Sequence, residues 1–172
     1  KLGERTKYFW MALHGSKMRC EQLIYKFRDF DPNEHFVITP EGLNRQYENG
    51  FGGDVVASWM TKRDRLEEIA DFSVYLDKLY SEHIKILPSK AQKIVFGFSQ
   101  GGTTAFRWLH KSSNDLDHLI AYSCWVPEDI ELSRSATKLE DIKLTYTYGL
   151  QDEYLTPERI LQINGIINRN KL

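Results

Sequence analysis

Cysteine is scarce in this sequence: Cys20 and Cys124 are the two among 172 residues, and neither sits in a CxxC or Cys/His spacing. That sets aside a disulfide framework and a structural metal site as the basis of the fold, and leaves both thiols as small buried hydrophobes. A reducing, cytoplasmic setting is the matching expectation. Charge of either sign is not in excess, with 23 basic against 24 acidic residues, and no basic stripe runs along the chain. Nucleic acid is therefore set aside as a partner. Long hydrophobic runs are missing as well: none reaches the ~18 residues that a membrane span requires, and no signal-peptide pattern opens the chain. One further absence shapes everything below, because no histidine follows His118.

What is present is enough for one domain with a sizeable core, since a chain of this length buries about 70% of the surface its unfolded form exposes. Five short β-rich runs recur: "YFWMAL" at 8–13, "HFVIT" at 35–39, "KIVFGF" at 93–98, "HLIAYSC" at 118–124 and "KLTYTYG" at 143–149. They are mostly continuous rather than alternating, as expected of strands covered on both faces of a parallel sheet. Helical patterns fill the gaps at 18–28, 64–86, 102–111 and 157–168. The longest places Leu66, Ile69, Phe72, Leu76, Leu79 and His83 three or four apart. The last has Thr156 as N-cap and Pro157 at its first position. Residues 40–60, with four glycines and the aromatics Tyr47, Phe51 and Trp59, read as one long functional loop. The expected architecture is an α/β fold, a three-layer α/β/α sandwich around a mostly parallel sheet.

Ligands of an open parallel sheet bind beyond the carboxyl ends of its strands. The most distinctive stretch falls there: "GFSQGG" at 97–102, a strand end running into a helix start. This is the G-x-S-x-G elbow, which lifts a serine hydroxyl above the sheet on a strained turn. The flanking glycines leave room where the incoming strand and the outgoing helix nearly touch. Ser99 is thus the candidate nucleophile. Its oxyanion hole calls for the amide of Gln100 and one more from the turn after the first strand, His14-Gly15-Ser16, with Ser16 as the donor. Asp152, just past the last strand and after the nucleophile in chain order, is the candidate acid; Glu153 comes next, while Asp129 and Asp141 are read as solvated. Trp59, Met60, Phe98 and Trp125 are the expected lining of an apolar acyl pocket beside Ser99.

The segments "ALHG", "ITPEG", "SWM", "GFSQGG" and "YGLQDEYLTPE" occur in this order over nearly the whole chain. Together they resemble the phospholipase/carboxylesterase, or acyl-protein-thioesterase-like, group of α/β-hydrolases, particularly small bacterial esterases. The pairing of "GFSQGG" with a later G-x-x-D-x-x-x-[TV]-P is the specific part. The resemblance implies a largely lidless serine hydrolase acting on small carboxylic esters or thioesters, without metal or cofactor, with Asp152 as triad acid. It also marks a departure: the group often has glycine soon after "HG", where this chain has Ser16 and Lys17.

A serine nucleophile needs an imidazole, which in this arrangement comes after the acid. No histidine follows Asp152. His35 and His118 open strands and so belong at the far end of the sheet, His83 and His110 fall on helices, and His14 reads as scaffolding for the oxyanion turn. The resemblance would continue past "NRNKL" with a strand, a histidine-bearing loop and a closing helix. The expectation is therefore a domain clipped at both ends, with the base beyond residue 172. The competing reading is an α/β-hydrolase-fold protein that binds a ligand at the rim without chemistry.

Overall fold

The computed structural model describes residues 2–135, 139–170 and 172. Strands β1 (Tyr8–Leu13), β2 (His35–Ile38), β5 (Gln92–Phe98), β6 (His118–Tyr122) and β7 (Lys143–Thr147) are the five runs read from the sequence. They hydrogen-bond in the order β2-β1-β5-β6-β7, every pair parallel. Parallel neighbours need crossovers, and helices supply them. α1 (Cys20–Ile24) leads towards β2, α2 (Arg65–Ile84) precedes β5, α3 (Gln100–Lys111) joins β5 to β6, and α4 (Pro157–Arg169) follows β7.

Alternation along β1 shows how the layers form. Successive side chains point to opposite faces. Phe9 packs against Tyr80 of α2, and Met11 and Leu13 are buried with it in the main core. Tyr8 and Trp10 point the other way, where Trp10 meets Phe27 and Phe30 just after α1. The same opposite face carries Phe96, stacked on Tyr122 and edge-on to Phe27. The main core lies between the sheet and the α2–α3 layer, and α3 is buried along most of its length. On α2 the buried stripe is Ile69, Phe72, Leu76 and Tyr80, whereas Leu66, expected on that stripe, is 68% exposed. Each large side chain so buried contributes roughly 1.5–3 kcal/mol.

Two expectations need correction. The segment read as a helix at 18–28 is α1 followed by a 3-10 turn at Tyr25–Phe27. Residues 40–60 are not a structureless loop but an antiparallel hairpin, β3 (Asn44–Asn49) and β4 (Gly52–Ser58), set apart from the main sheet. β3 is polar and almost wholly solvent-facing, so no hydrophobic period announces it. The hairpin is anchored by reciprocal bonds between Met18 and Ala57, at 3.2 and 2.9 Å. Cys124 is buried as expected, whereas Cys20 is only half-buried.

Candidate active site

β1, β5, β6 and β7 all end on one rim, and the register shows what gathers there. Leu13 pairs with Gly97, Phe98 with Tyr122, and Tyr122 with Thr147. The four strand ends therefore lie at one level: His14 and Ser99 directly follow β1 and β5, while Trp125 and Asp152 sit in the loops that leave β6 and β7.

Ser99 has φ 52° and ψ −121°, a conformation L residues adopt only under constraint. The constraint is visible. Its N–H donates to the Tyr122 carbonyl at 2.9 Å, while its own carbonyl accepts from Gly102 at 3.0 Å as α3 begins. A Cβ on Gly101 would lie 2.1 Å from the Leu13 carbonyl oxygen and 2.6 Å from that of His14; one on Gly97 would meet Gly102 Cα at 2.4 Å. Only glycine lets β5 turn into α3 this tightly against the end of β1. The same contacts bring the elbow directly against the His14-Gly15 turn. Ser99 itself is half-buried, and no described residue hydrogen-bonds its Oγ. Gln100 stands at the first position of α3, where a backbone N–H has no partner within the helix.

His14 is fully buried. Its Nδ1–H donates to the Gly15 carbonyl at 2.7 Å and its Nε2 accepts the Gly42 N–H at 2.9 Å. Both ring nitrogens are thus used for scaffolding, and neither faces Ser99. Burial pulls its pKa below the ordinary histidine value, against smaller upward effects of the Gly15 bond and Glu41. The other histidines are engaged elsewhere. His35 accepts from Trp10 and stacks on Tyr8, His83 bonds the Leu79 carbonyl between Phe9 and Phe36, His110 meets Ser135, and His118 meets Thr145.

Asp152 lies in the turn after β7, where its Oδ1 accepts the Tyr154 N–H at 2.9 Å. The turn is tied back to the rim by Arg159, which donates to the Tyr154 carbonyl at 2.6 Å and lies over the Trp125 ring. Asp129, read as solvated, is exposed, and it is also gripped by both terminal nitrogens of Arg107, at 2.6 and 3.1 Å, and reached by Arg65 at 3.3 Å. That fork holds its carboxyl below the usual carboxylate range.

Among the expected pocket residues, Phe98 and Trp125 are half-buried on the rim. Trp59 and Met60 are corrections. Trp59 has no exposed surface, packs on Phe72, and donates its indole N–H to the His14 carbonyl at 2.9 Å. Met60 is 8% exposed and belongs to the same core. A large indole with a satisfied N–H supports the rim from beneath rather than lining it. Sequence reasoning also missed Ser58, whose Oγ lies 3.0 Å from Ser16 Oγ and accepts the Lys17 N–H at 3.1 Å. A lone serine at a strand end carries no signal in sequence.

Among the described residues, one group could converge on a metal ion: Cys20, Glu21 and Glu41, with ligand atoms within 4.8 Å of one another. Glu41 is already paired with Arg45 at 2.7 Å. Burial, reinforced by Glu21, pushes the Cys20 thiol up, away from the thiolate a metal would need. Among the described residues no helix is long and apolar enough to cross a membrane.

None of the curated proteins matches the sequence. Solved structures do. An uncharacterized protein from Bacillus cereus ATCC 10987 superposes with a TM-score of 0.73 at 20% identity, covering 100% of this chain and 52% of that one. Acyl-protein thioesterase 2 of Zea mays gives 0.74 at 17% identity, covering 99% and 82%. A carboxylesterase from Mesorhizobium loti gives 0.71 at 18% identity, covering 96% and 76%. The chain thus spans about half the length of the first and roughly three quarters or more of the other two. At such identities these likenesses show the fold, that of the α/β-hydrolases. The sequence profile of the phospholipase/carboxylesterase family matches residues 31–160, most of the chain and all of the elbow, and the protein belongs to that family of hydrolases.

Proposed function

We propose that this chain carries the nucleophile, acid and oxyanion donors of a serine hydrolase that cleaves small carboxylic esters or thioesters through an acyl-enzyme. The observation that carries the reading is the strained conformation of Ser99 at the junction of β5 and α3, with its hydroxyl unclaimed by any described residue. Strain of this kind persists where function uses it. Ser99 Oγ attacks the acyl carbonyl carbon as its proton passes to an imidazole. The carbonyl oxygen becomes an oxyanion held by the Gln100 and Ser16 amides, and the alcohol or thiol leaves with the proton. Water, deprotonated by the same imidazole, then releases the acid. The five histidines within the chain are all committed elsewhere, so the base is a histidine outside residues 1–172, oriented by Asp152 once that carboxylate leaves the Tyr154 amide. Phe98 and Trp125 flank the acyl group.

A second reading has one observation in its favour: no imidazole of the described residues faces Ser99. It makes the rim a ligand-binding site without chemistry. A fluorophosphonate probe applied to the intact protein separates the two. Labelling that disappears in Ser99→Ala supports the hydrolase. Absence of labelling supports the binding protein, and labelling retained in Ser99→Ala places the nucleophile elsewhere.

A further inference from the structure

Three consecutive residues at the end of the hairpin, Ser58 of β4 and then Trp59 and Met60, hydrogen-bond to both halves of the oxyanion site. On one side Ser58 Oγ contacts Ser16 Oγ at 3.0 Å and accepts the Lys17 N–H at 3.1 Å. The Trp59 indole N–H reaches the His14 carbonyl at 2.9 Å. On the other side the Gln100 side chain closes a two-point clamp: its Oε1 accepts the Trp59 N–H at 2.8 Å and its Nε2 donates to the Met60 carbonyl at 2.7 Å. The two loops so bridged each carry a left-handed non-glycine residue, Lys17 at φ 55° and Ser99 at φ 52°. Neither conformation is comfortable by itself, so each needs surroundings that over-determine it.

We propose that residues 58–60 are a strap that holds the two oxyanion donors in register, with Ser58 and the side chain of Gln100 as positioning residues. The proposal rests on the reading of the Ser16 and Gln100 amides as those donors; the mechanical link itself does not. The Lys17 N–H bond fixes the peptide plane joining Ser16 to Lys17, the plane next to the one that carries the Ser16 N–H, and so limits how far that donor can turn. The Gln100 clamp sets the first turn of α3 against the same strap. A donor pair is effective when both N–H groups aim at one point, and the charge they serve exists only in the transition state. Loosening the strap should therefore slow the chemical step and leave substrate binding nearly unchanged. Glutamine suits the clamp because its amide pairs an acceptor oxygen with a donor NH2, matching a backbone N–H and C=O in turn.

The test uses the intact protein with Gln100→Met, which keeps the length of the side chain and loses both bonds, and with Ser58→Ala. Hydrogen exchange is followed in peptides covering residues 13–18 and, as a control for general loosening, residues 70–80 of α2. The Gln100 side-chain bonds go to Trp59 and Met60, not to residues 13–18. The expected result is nonetheless exchange about 10-fold faster in that peptide for Gln100→Met, with α2 unchanged. Hydrolysis of p-nitrophenyl acetate should lose ~10–100-fold in kcat in both variants, with KM within about threefold. Ser58→Ala, which leaves both bonds of the Gln100 clamp in place, carries the kcat-against-KM test if the methionine variant folds poorly. Unchanged exchange at 13–18 in Gln100→Met overturns the strap, as does a loss confined to KM. A wild-type protein without hydrolysis overturns the hydrolase reading instead, and exchange alone then decides the strap.

Discussion

Arg107 of α3 and Asp129 of the segment after β6 form a two-point ion pair, with Arg107 only 6% exposed, and Arg65 of α2 meets the same carboxylate at 3.3 Å. Among the described residues the buried Arg107 Nε has no partner, so the two bonds to Asp129 supply most of what compensates the buried charge. Removing one partner of such a pair strands the other. Asp129→Ala should cost about 2–3 kcal/mol in urea denaturation, less than the ~3–5 kcal/mol of a fully buried pair because Asp129 itself is partly in water.

The same pair has a pH signature. Hydrogen bonding to Arg107, opposed by burial, leaves the Asp129 carboxyl more acidic in the folded than in the unfolded state. Its contribution is therefore fully present above the ordinary carboxylate pKa and is lost as pH falls through the depressed folded value. Asp129→Asn should flatten that part of the acid limb of the stability curve. An unaltered limb would mean that other carboxylates dominate acid unfolding.

Gly101→Ala tests the elbow from its tightest point. A methyl group there would lie 2.1 Å from the Leu13 carbonyl oxygen, backbone that cannot swing aside without moving β1. The expected outcome is a loss of ~3 kcal/mol or more, with fluorophosphonate labelling of Ser99 lost in whatever folds. Wild-type stability would show that the β1–α3 contact has slack.

Trp59 and Trp125 should separate cleanly. Trp59 is core and part of the strap, so Trp59→Ala should cost about 3–5 kcal/mol and depress hydrolysis of every ester alike. Trp125 is half-buried on the rim, so Trp125→Ala should raise KM for long acyl chains more than for acetyl esters. A chain-length effect in Trp59→Ala, with stability intact, would return that indole to the substrate site.

The five main-sheet strands were legible because each is a short β-rich run, deeply buried in β1 and β5 and only half-buried in the edge strands β2 and β7, and the elbow because its glycines are steric necessities at fixed spacing. Thr156 was legible for a local reason, its hydroxyl accepting the Arg159 N–H one turn into α4. The hairpin was hidden: β3 is water-facing, so what fixes it is the Met18–Ala57 pairing and cross-strand register, long-range facts with no periodic trace. Asp129 faces water as read, but its ion pair was hidden for a similar reason, since nothing near it in sequence shows the partner that α3 brings beside it. Trp59 shows the converse. Its position beside the rim was legible, but which way an indole points depends on the acceptor it finds, here the His14 carbonyl.

His14 yields the last prediction. The buried ring holds the rim in one protonation state, with Nδ1–H given to the Gly15 carbonyl and a bare Nε2 receiving the Gly42 N–H. A proton on Nε2 would set two donors against each other in a site closed to water. Burial accordingly lowers the folded-state pKa below the unfolded value near 6.5. The unfolded chain then binds the proton more readily, so stability is complete above about pH 6.5 and declines as pH falls through the folded value. Because the ring braces both Gly15 and Gly42, the loss should appear first at the oxyanion turn. Amide exchange in residues 13–18 should quicken between pH 7 and 5, after correction for intrinsic rates, before the far-ultraviolet circular dichroism changes. His14→Asn, which cannot be protonated in that range, should abolish the pH dependence at the cost of a weaker baseline. A pH-independent exchange rate in the wild type would mean that the ring stays neutral throughout, or that the turn does not depend on its bond to Gly42.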